Sequence, residues 1–229
     1  MALILCDIDG TLVNGASSYG TTMVEAISRV YDAQVSVDLN EFHGSTDRLV
    51  LKDILGRYGV SYDNSSLDDC LRLFGELFPE NPADINIIPG VIETIPILWE
   101  THKLGLVTGN VEAMARKKLR LFHTVDMLLD NYFLFGGFGG TDPHETRADL
   151  IPLAIVRAAE YGWRGRNNQT FVIDDSQKGL AAAIEARVVP IGITTGKYTE
   201  AQLRQTGTEH IANNFIEIPD LIKRLCDKL

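Results

Sequence analysis

Apolar residues follow two rhythms along this chain, and the change from one to the other predicts its elements. Short unbroken apolar runs at 3–6, 103–107, 170–173 and 188–193 are each cut off by small or acidic residues, the mark of strands buried in a parallel sheet. Between the first two runs the spacing becomes three and four, and it stays helical through three stripes. Met23, Ile27, Val30 and Tyr31 form the first, Leu49, Ile54, Leu55 and Tyr58 the second, and Leu67, Leu71, Phe74, Leu77 and Phe78 the third. No strand pattern interrupts them, so a helical module is expected between the first strand and the remainder, with boundaries near Gly15 and Asn86.

After that block, strand and helix patterns alternate. Pro89-Gly90-Val91 heads a helix whose buried side is read as Ile92, Ile95, Leu98 and Trp99. Further helices are expected over 111–122, through Leu150, Leu153, Ile155 and Ala158, over 179–186, after Gly196-Lys197-Tyr198-Thr199, and over 218–225. A strand is expected at 132–135, with Gly136, Gly137, Gly139 and Gly140 as a flexible loop, and an edge strand at Ile211, Ala212 and Phe215. The result is an α/β chain.

Chemistry enters where the apolar runs stop. The first ends on Asp7 and Asp9 with Gly10-Thr11 behind them, and in open α/β sheets ligands bind outside the carboxyl ends of strands. Two acids one residue apart can divide labour between nucleophile or metal ligand and acid/base, although Asp9 with Gly10 also suits a plain turn. The second run ends on Thr108-Gly109-Asn110, a hydroxyl and backbone N–H groups that form a phosphate cradle and serve equally as a helix cap. The third ends on Asp174-Asp175-Ser176. Paired acids beside the first pair complete an all-oxygen magnesium site; a doubled helix cap explains one aspartate better than two.

Within the helical module, Phe42-His43-Gly44-Ser45-Thr46-Asp47-Arg48 reads either as a turn with Ser45 or Thr46 as N-cap or as a loop facing the site. Arg48 then pairs with a charged substrate group or lies in solvent. Lys197 is a weaker site candidate.

Composition narrows the partners. The formal charge of -10 excludes a nucleic-acid ligand, which needs clustered lysine and arginine, while a metal and local donors still allow an anionic substrate. The hydrophobic share of 45% supports a real core. Cys6, Cys70 and Cys226 lack disulfide or metal spacing, and no apolar run reaches membrane-spanning length, so a cytoplasmic protein without a membrane partner is expected, as monomer or homodimer.

In sequence order, "DIDGT", "LVTGN" and "VIDDS" resemble the motifs of the haloacid dehalogenase superfamily, and the resemblance covers nearly the whole chain. It implies a doubly wound Rossmann-like parallel sheet, 1–14 and 87–229, with the module 15–86 as a helical cap over the site. It also implies a Mg2+-dependent phosphatase acting on a small phosphorylated metabolite. Asp7 is then the nucleophile, Asp9 the acid/base, and Thr108 with Gly109 and Asn110 the phosphoryl cradle beside Gly10 and Thr11. Gly44 and Thr46 face the substrate from the cap. Metal ligands are Asp7, the Asp9 carbonyl and Asp175, with Asp174 direct or through water, and Gly179 stands where other relatives carry a second acid. The family's lysine after the glycine loop is missing, and Arg147 is its expected substitute, with Lys117 or Lys118, read as exposed helix residues, in reserve. A phosphomutase shares this core. A dehalogenase needs no second acid, which Asp9 speaks against, and a silent binding module is left by the missing lysine.

Overall fold

The computed structural model describes residues 1–229 apart from 16, 39–41, 43, 141–143 and 229, so His43 of the sequence reading lies outside the described residues. Strand β1 (Leu3–Cys6) is central in a six-stranded sheet. Around it stand β4 (Lys103–Thr108), β5 (Gly136–Phe138), β6 (Thr170–Asp174), β7 (Val189–Ile193) and β8 (His210–Ala212), in the order β5-β4-β1-β6-β7-β8. All neighbours are parallel, and Cys6 pairs with Leu106 on one side and Ile173 on the other. The ends of β1, β4 and β6 are therefore level, and whatever follows each strand emerges at one rim.

The period of two in β1 sorts its side chains between two helical layers. Ile4 and Cys6 pack in the core that includes α4 (Val91–Thr101), α5 (Glu112–Arg120) and α9 (Ile218–Cys226), while Leu3 and Leu5 join α6 (Arg147–Glu160) and α7 (Gln177–Glu185). The short α8 (Glu200–Arg204) closes the far edge. Helices on both faces make the sheet doubly wound.

Helices α1 (Ser18–Tyr31), α2 (Asp47–Arg57) and α3 (Asn64–Leu77) lie between β1 and β4 in the chain, flanked by the antiparallel pair β2 (Val13–Asn14) and β3 (Asn86–Ile87). The α2 stripe is shifted from the expected one: Val50 and Leu51 are buried with Ile54 and Leu55, whereas Leu49 and Tyr58 are exposed. Likewise Val91, Thr94, Ile95 and Leu98 bury α4, and Trp99 remains in solvent with its ring edge-on to Tyr132.

Two further expectations are corrected. Residues 132–135 do not form a strand: Leu129–Tyr132 is a 3-10 turn that buries Tyr132, and the strand is the glycine run itself, with Leu106 paired to Gly136. The reason is close approach, since a Cβ on Gly137 would stand 2.1 Å from the Leu150 carbonyl oxygen of α6. Phe215 belongs to a 3-10 turn, Phe215–Glu217, beyond the edge strand. Among the described residues no helix is long and apolar enough to cross a membrane.

Candidate functional site

The rim is built from three strand ends. Asp7 continues the β1 ladder, its N–H bonding the Ile173 carbonyl, and its side chain is buried directly after the strand. The chain then reverses at Gly10, whose φ of +86° is open to glycine, and a Cβ there would lie 2.3 Å from Asp175 Oδ2. Asp174 is the last residue of β6, and Asp175 follows it into the turn before α7. One carboxylate oxygen from each of Asp7, Asp174 and Asp175 comes within 4.8 Å of the others. Residues far apart in sequence thus meet because parallel register aligns their strands.

Three buried carboxylates repel one another, and Arg147, the first residue of α6, stands between them. Its Nη2 donates to Asp7 Oδ2 at 3.2 Å and its Nη1 to Asp174 Oδ2 at 3.0 Å. Thr146 caps α6 with its side chain accepting from the Asp149 N–H, which sets where Arg147 leaves the helix. Burial works against the charged guanidinium, and the Asp7 and Asp174 charges more than reverse that, holding Arg147 above its ordinary value. One cation does not balance three acids. Burial pushes Asp7 up to about 6 against the pull of Arg147, and burial with the charges of Asp174 and Asp7 holds Asp175 well above the usual carboxylate range.

The donor set shows what is lacking. Asp174 Oδ1 accepts from the Ser176 N–H and hydroxyl at 2.8 and 2.7 Å, so Arg147 and Ser176 engage both of its oxygens. Asp7 Oδ1 is buried and has no hydrogen-bond donor; Arg147 Nη1 is 3.1 Å away but not aimed at it. Asp175 receives one long contact, 3.4 Å, from the Thr11 hydroxyl. Hard oxygens with surplus negative charge fit a small divalent cation such as magnesium, and those of Asp7 and Asp175 are the less engaged. The sequence left a gap at Gly179, where a Cβ would sit 1.8 Å from Asp174 Oδ2: the Asp174 carboxylate fills the space that a side chain at 179 would take.

Asp9 faces the cavity above this floor, held by a residue that the sequence reading misplaced. Lys118 is fully buried rather than exposed; its Nζ lies 2.7 Å from both Asp9 oxygens and 2.9 Å from Asn110 Oδ1. The signal was available, because Met114, Ala115, Lys118 and Leu119 form the buried stripe of α5. Lys117 instead bonds the carbonyls of Glu76 and Phe78, away from the rim.

A cavity of about 180 Å³ opens over these groups. Its floor includes Asp7, Asp9, Thr108, Asn110, Arg147 and Asp175, and its roof Tyr19, Phe42, Gly44, Ser45, Asp47 and Val50. Gly109 and Ser176 complete the lower wall and Tyr198 the side. Gly10 and Thr11 shape the Asp175 turn and do not line this cavity, and neither does Thr46. The Thr46 side chain caps α2 by accepting from the Leu49 N–H and donates to the Glu145 carbonyl. Lys197 is exposed, its ammonium over the Tyr198 ring.

The first turn of α2 is stitched to the core. Asp47 N–H bonds the Gly109 carbonyl at 2.7 Å and Arg48 N–H the Gly139 carbonyl at 3.1 Å. Asp47 itself accepts from the Tyr19 hydroxyl at 2.7 Å and the Val111 N–H at 2.6 Å, and burial pushes it up to about 7 against those bonds. Arg48 is neither in solvent nor in the cavity: it is buried against Asp68, Glu145 and Asn64.

A sequence profile described as haloacid dehalogenase-like hydrolase matches residues 4–193. The chain is 23% identical over 233 residues to glyceraldehyde 3-phosphate phosphatase of Methanocaldococcus jannaschii, covering 97% of each. Among solved structures it resembles a hydrolase from Pseudomonas syringae, with a TM-score of 0.70, 17% identity and coverage of 98% and 99%. A predicted phosphoglycolate phosphatase from Haemophilus somnus superposes with a TM-score of 0.66, 21% identity and coverage of 96% and 97%. At these identities the solved structures speak for the fold.

Proposed function

The chain belongs to the haloacid dehalogenase-like hydrolases, and from that premise we propose that it is a magnesium-dependent phosphatase of small phosphomonoesters. The observation that carries this reading is the surplus of buried carboxylate at the rim, with Asp7 Oδ1 left without a donor. Asp7 and Asp175, with the Asp9 carbonyl, would hold the ion, and Asp174 steadies Arg147 beside them. When bound, magnesium supplies the positive charge that lets a phosphate approach a carboxylate.

In this reading Asp7 attacks phosphorus with a carboxylate oxygen, forming an aspartyl-phosphate as the bond to the leaving oxygen breaks. Asp9 gives that oxygen a proton, then takes one from the water that attacks the intermediate, so inorganic phosphate leaves and Asp7 is restored. Lys118, itself donating to Asn110 Oδ1, holds Asp9 in its orientation, and Arg147 fixes Asp7 through Oδ2. Thr108 and the Gly109 N–H receive the phosphoryl oxygens. Residues 15–86 serve as the lid that keeps bulk water from the intermediate. Two cations reaching the two catalytic aspartates weigh against a silent module, because a site kept only for binding has no need to orient an acid/base.

The test is hydrolysis of a panel of phosphomonoesters with and without Mg2+, in wild type and Asp7→Asn. Turnover that needs the metal and falls at least about 10⁴-fold in the variant is expected, the scale of losing a nucleophile. An Asp7→Asn protein as active as wild type would remove the assigned nucleophile.

A further inference from the structure

The phosphatase reading leaves the leaving group undefined, and the roof of the cavity bears on it. Among the described residues the cavity is lined by four acids, Asp7, Asp9, Asp47 and Asp175, and by one cation, Arg147, which lies at the floor and is engaged by Asp7 and Asp174. The roof has no described cation facing inward. Arg48, one residue from Asp47, is turned to Asp68, Glu145 and Asn64, and Lys52 pairs with Glu145. Lys178 packs against Gly44 without lining the cavity, its Nζ donating to Ser45 Oγ at 2.7 Å, and Lys118 is spent on Asp9 and Asn110.

The polar groups of the roof are the pair Tyr19 and Asp47 with Ser45, beside the apolar surfaces of Phe42 and Val50. A carboxylate has about four acceptor positions, and Asp47 uses one for the Tyr19 hydroxyl and one for the Val111 N–H. The remainder, with the acceptor lone pairs of Tyr19, suit hydroxyl donors. Above about pH 7, where Asp47 is ionised, a second anion under this roof would meet a buried carboxylate and no described cation lining the cavity, a cost that selects against it. The cavity, about 180 Å³, is also well short of the roughly 300–1,000 Å³ of pockets that take drug-sized ligands.

We propose, resting on the phosphatase reading, that Tyr19 and Asp47 determine specificity by accepting hydroxyl groups, so that the substrate is a small phosphomonoester whose leaving group is an uncharged alcohol or polyol, and that carboxylate-bearing esters and sugar bisphosphates are rejected. The same roof disfavours phosphomutase chemistry, which must hold a second phosphoryl group at the far end of its intermediate.

Matched esters test this in the full-length protein with Mg2+: 2-hydroxyethyl phosphate against 2-phosphoglycolate, and glycerol 3-phosphate against 3-phosphoglycerate. In each pair the first has an uncharged end and the second a carboxylate. Wild type is expected to favour the uncharged member at least tenfold in kcat/KM, and Asp47→Asn to narrow that gap at least threefold, chiefly by lowering KM for the carboxylates. Equal or better turnover of the carboxylates by wild type, or a gap unchanged in Asp47→Asn, overturns the specificity assignment and leaves the phosphatase reading standing. Failure of wild type to hydrolyse any of the four overturns both. Should Asp47→Asn not fold, the wild-type contrast together with Tyr19→Phe decides, with loss of rate expected on the hydroxyl esters and little change on the carboxylates.

Discussion

Arg48 and Arg147 are each set between acids, one in the helical insert and one at the sheet rim, and the two clusters differ in how their charge is balanced. Arg48 is wholly buried, but its partners Asp68 and Glu145 have side chains 54% and 28% exposed, and Lys52 joins them. Two cations meet two acids there, with water at hand. Arg147 is 10% exposed and faces Asp7 and Asp174 at 2% and 1%, with Asp175 beside them. There the negative charge is in excess and one oxygen is orphaned. A buried arginine is thus no sign of chemistry by itself; the sign is a charge imbalance that the protein does not correct from its own residues. The first cluster fastens the helical insert to the core, and the second leaves room for a cation.

The largest effect expected from this contrast is on stability in metal-free buffer. Arg147→Ala removes the one positive group among three buried acids, and breaking such a buried pair typically costs about 3–5 kcal/mol. Denaturant unfolding at neutral pH measures it. The pH dependence has a definite sign. Asp7 stands at about 6 in the folded chain, above its ordinary value, so the protonated form favours folding at low pH and that support is lost as pH rises through about 6. Without Arg147 the loss on going from pH 5 to pH 7 should be steeper, and added Mg2+ should recover part of it at pH 7. A variant as stable as wild type across that range would show that the acids are not held under mutual repulsion.

How much of this was readable beforehand follows from the kind of structure involved. Asp7, Asp9, Thr108, Asp174 and Asp175 were legible because each ends an apolar run, and a parallel sheet brings strand ends together whatever lies between them in the sequence. Arg147 was reached as a stand-in for an absent lysine, and its guanidinium bonds Asp7 and Asp174. Lys118 was misread on charge alone, although its place on the Met114 stripe argued for burial. Asp47 lay in a stretch read as a turn or a site-facing loop but had no role of its own, and Tyr19 gave no signal, since their partners across the seam, the Val111 N–H and each other, depend on how the insert docks. The glycines of β5 were taken for a loop because a strand with no side chains has no apolar pattern; their purpose, close contact with α6, exists only in three dimensions.

Gly179 sharpens the comparison from the other side. The Asp174 carboxylate is pinned by two donors from Ser176 and one from Arg147, so it has no free direction in which to make way for a methyl group. Gly179→Ala places a Cβ 1.8 Å from Asp174 Oδ2 and should cost about 1–3 kcal/mol, as overpacking does. Because the displaced group is a charge at the rim, Mg2+ affinity measured by calorimetry should weaken together with stability. A stable variant with unaltered metal binding would mean that the acids are loosely held.

The smallest effect belongs to the Arg48 cluster. The hydrogen bond from Lys52, and then the charge of that lysine, hold Glu145 below its usual value, so its contribution to stability is present above the ordinary glutamate range and disappears as pH falls through the depressed value. Glu145→Gln should therefore cost no more than about 1 kcal/mol at neutral pH, the worth of a partly solvated ion pair, and nothing measurable near pH 3. Arg48 keeps Asp68 and Asn64 in that variant, and Lys52, itself partly exposed, turns to water. The contacts of the first turn of α2, Asp47 N–H to Gly109 and Arg48 N–H to Gly139, remain in place. What should change is docking: with one of its charged fastenings gone the insert opens more often, raising KM while kcat for saturating substrate changes little. Were Glu145→Gln to cost as much as Arg147→Ala, the distinction between a solvated fastening and a desolvated, unbalanced rim would have to be abandoned, because exposure of the partners would then have no bearing on the energy of the cluster.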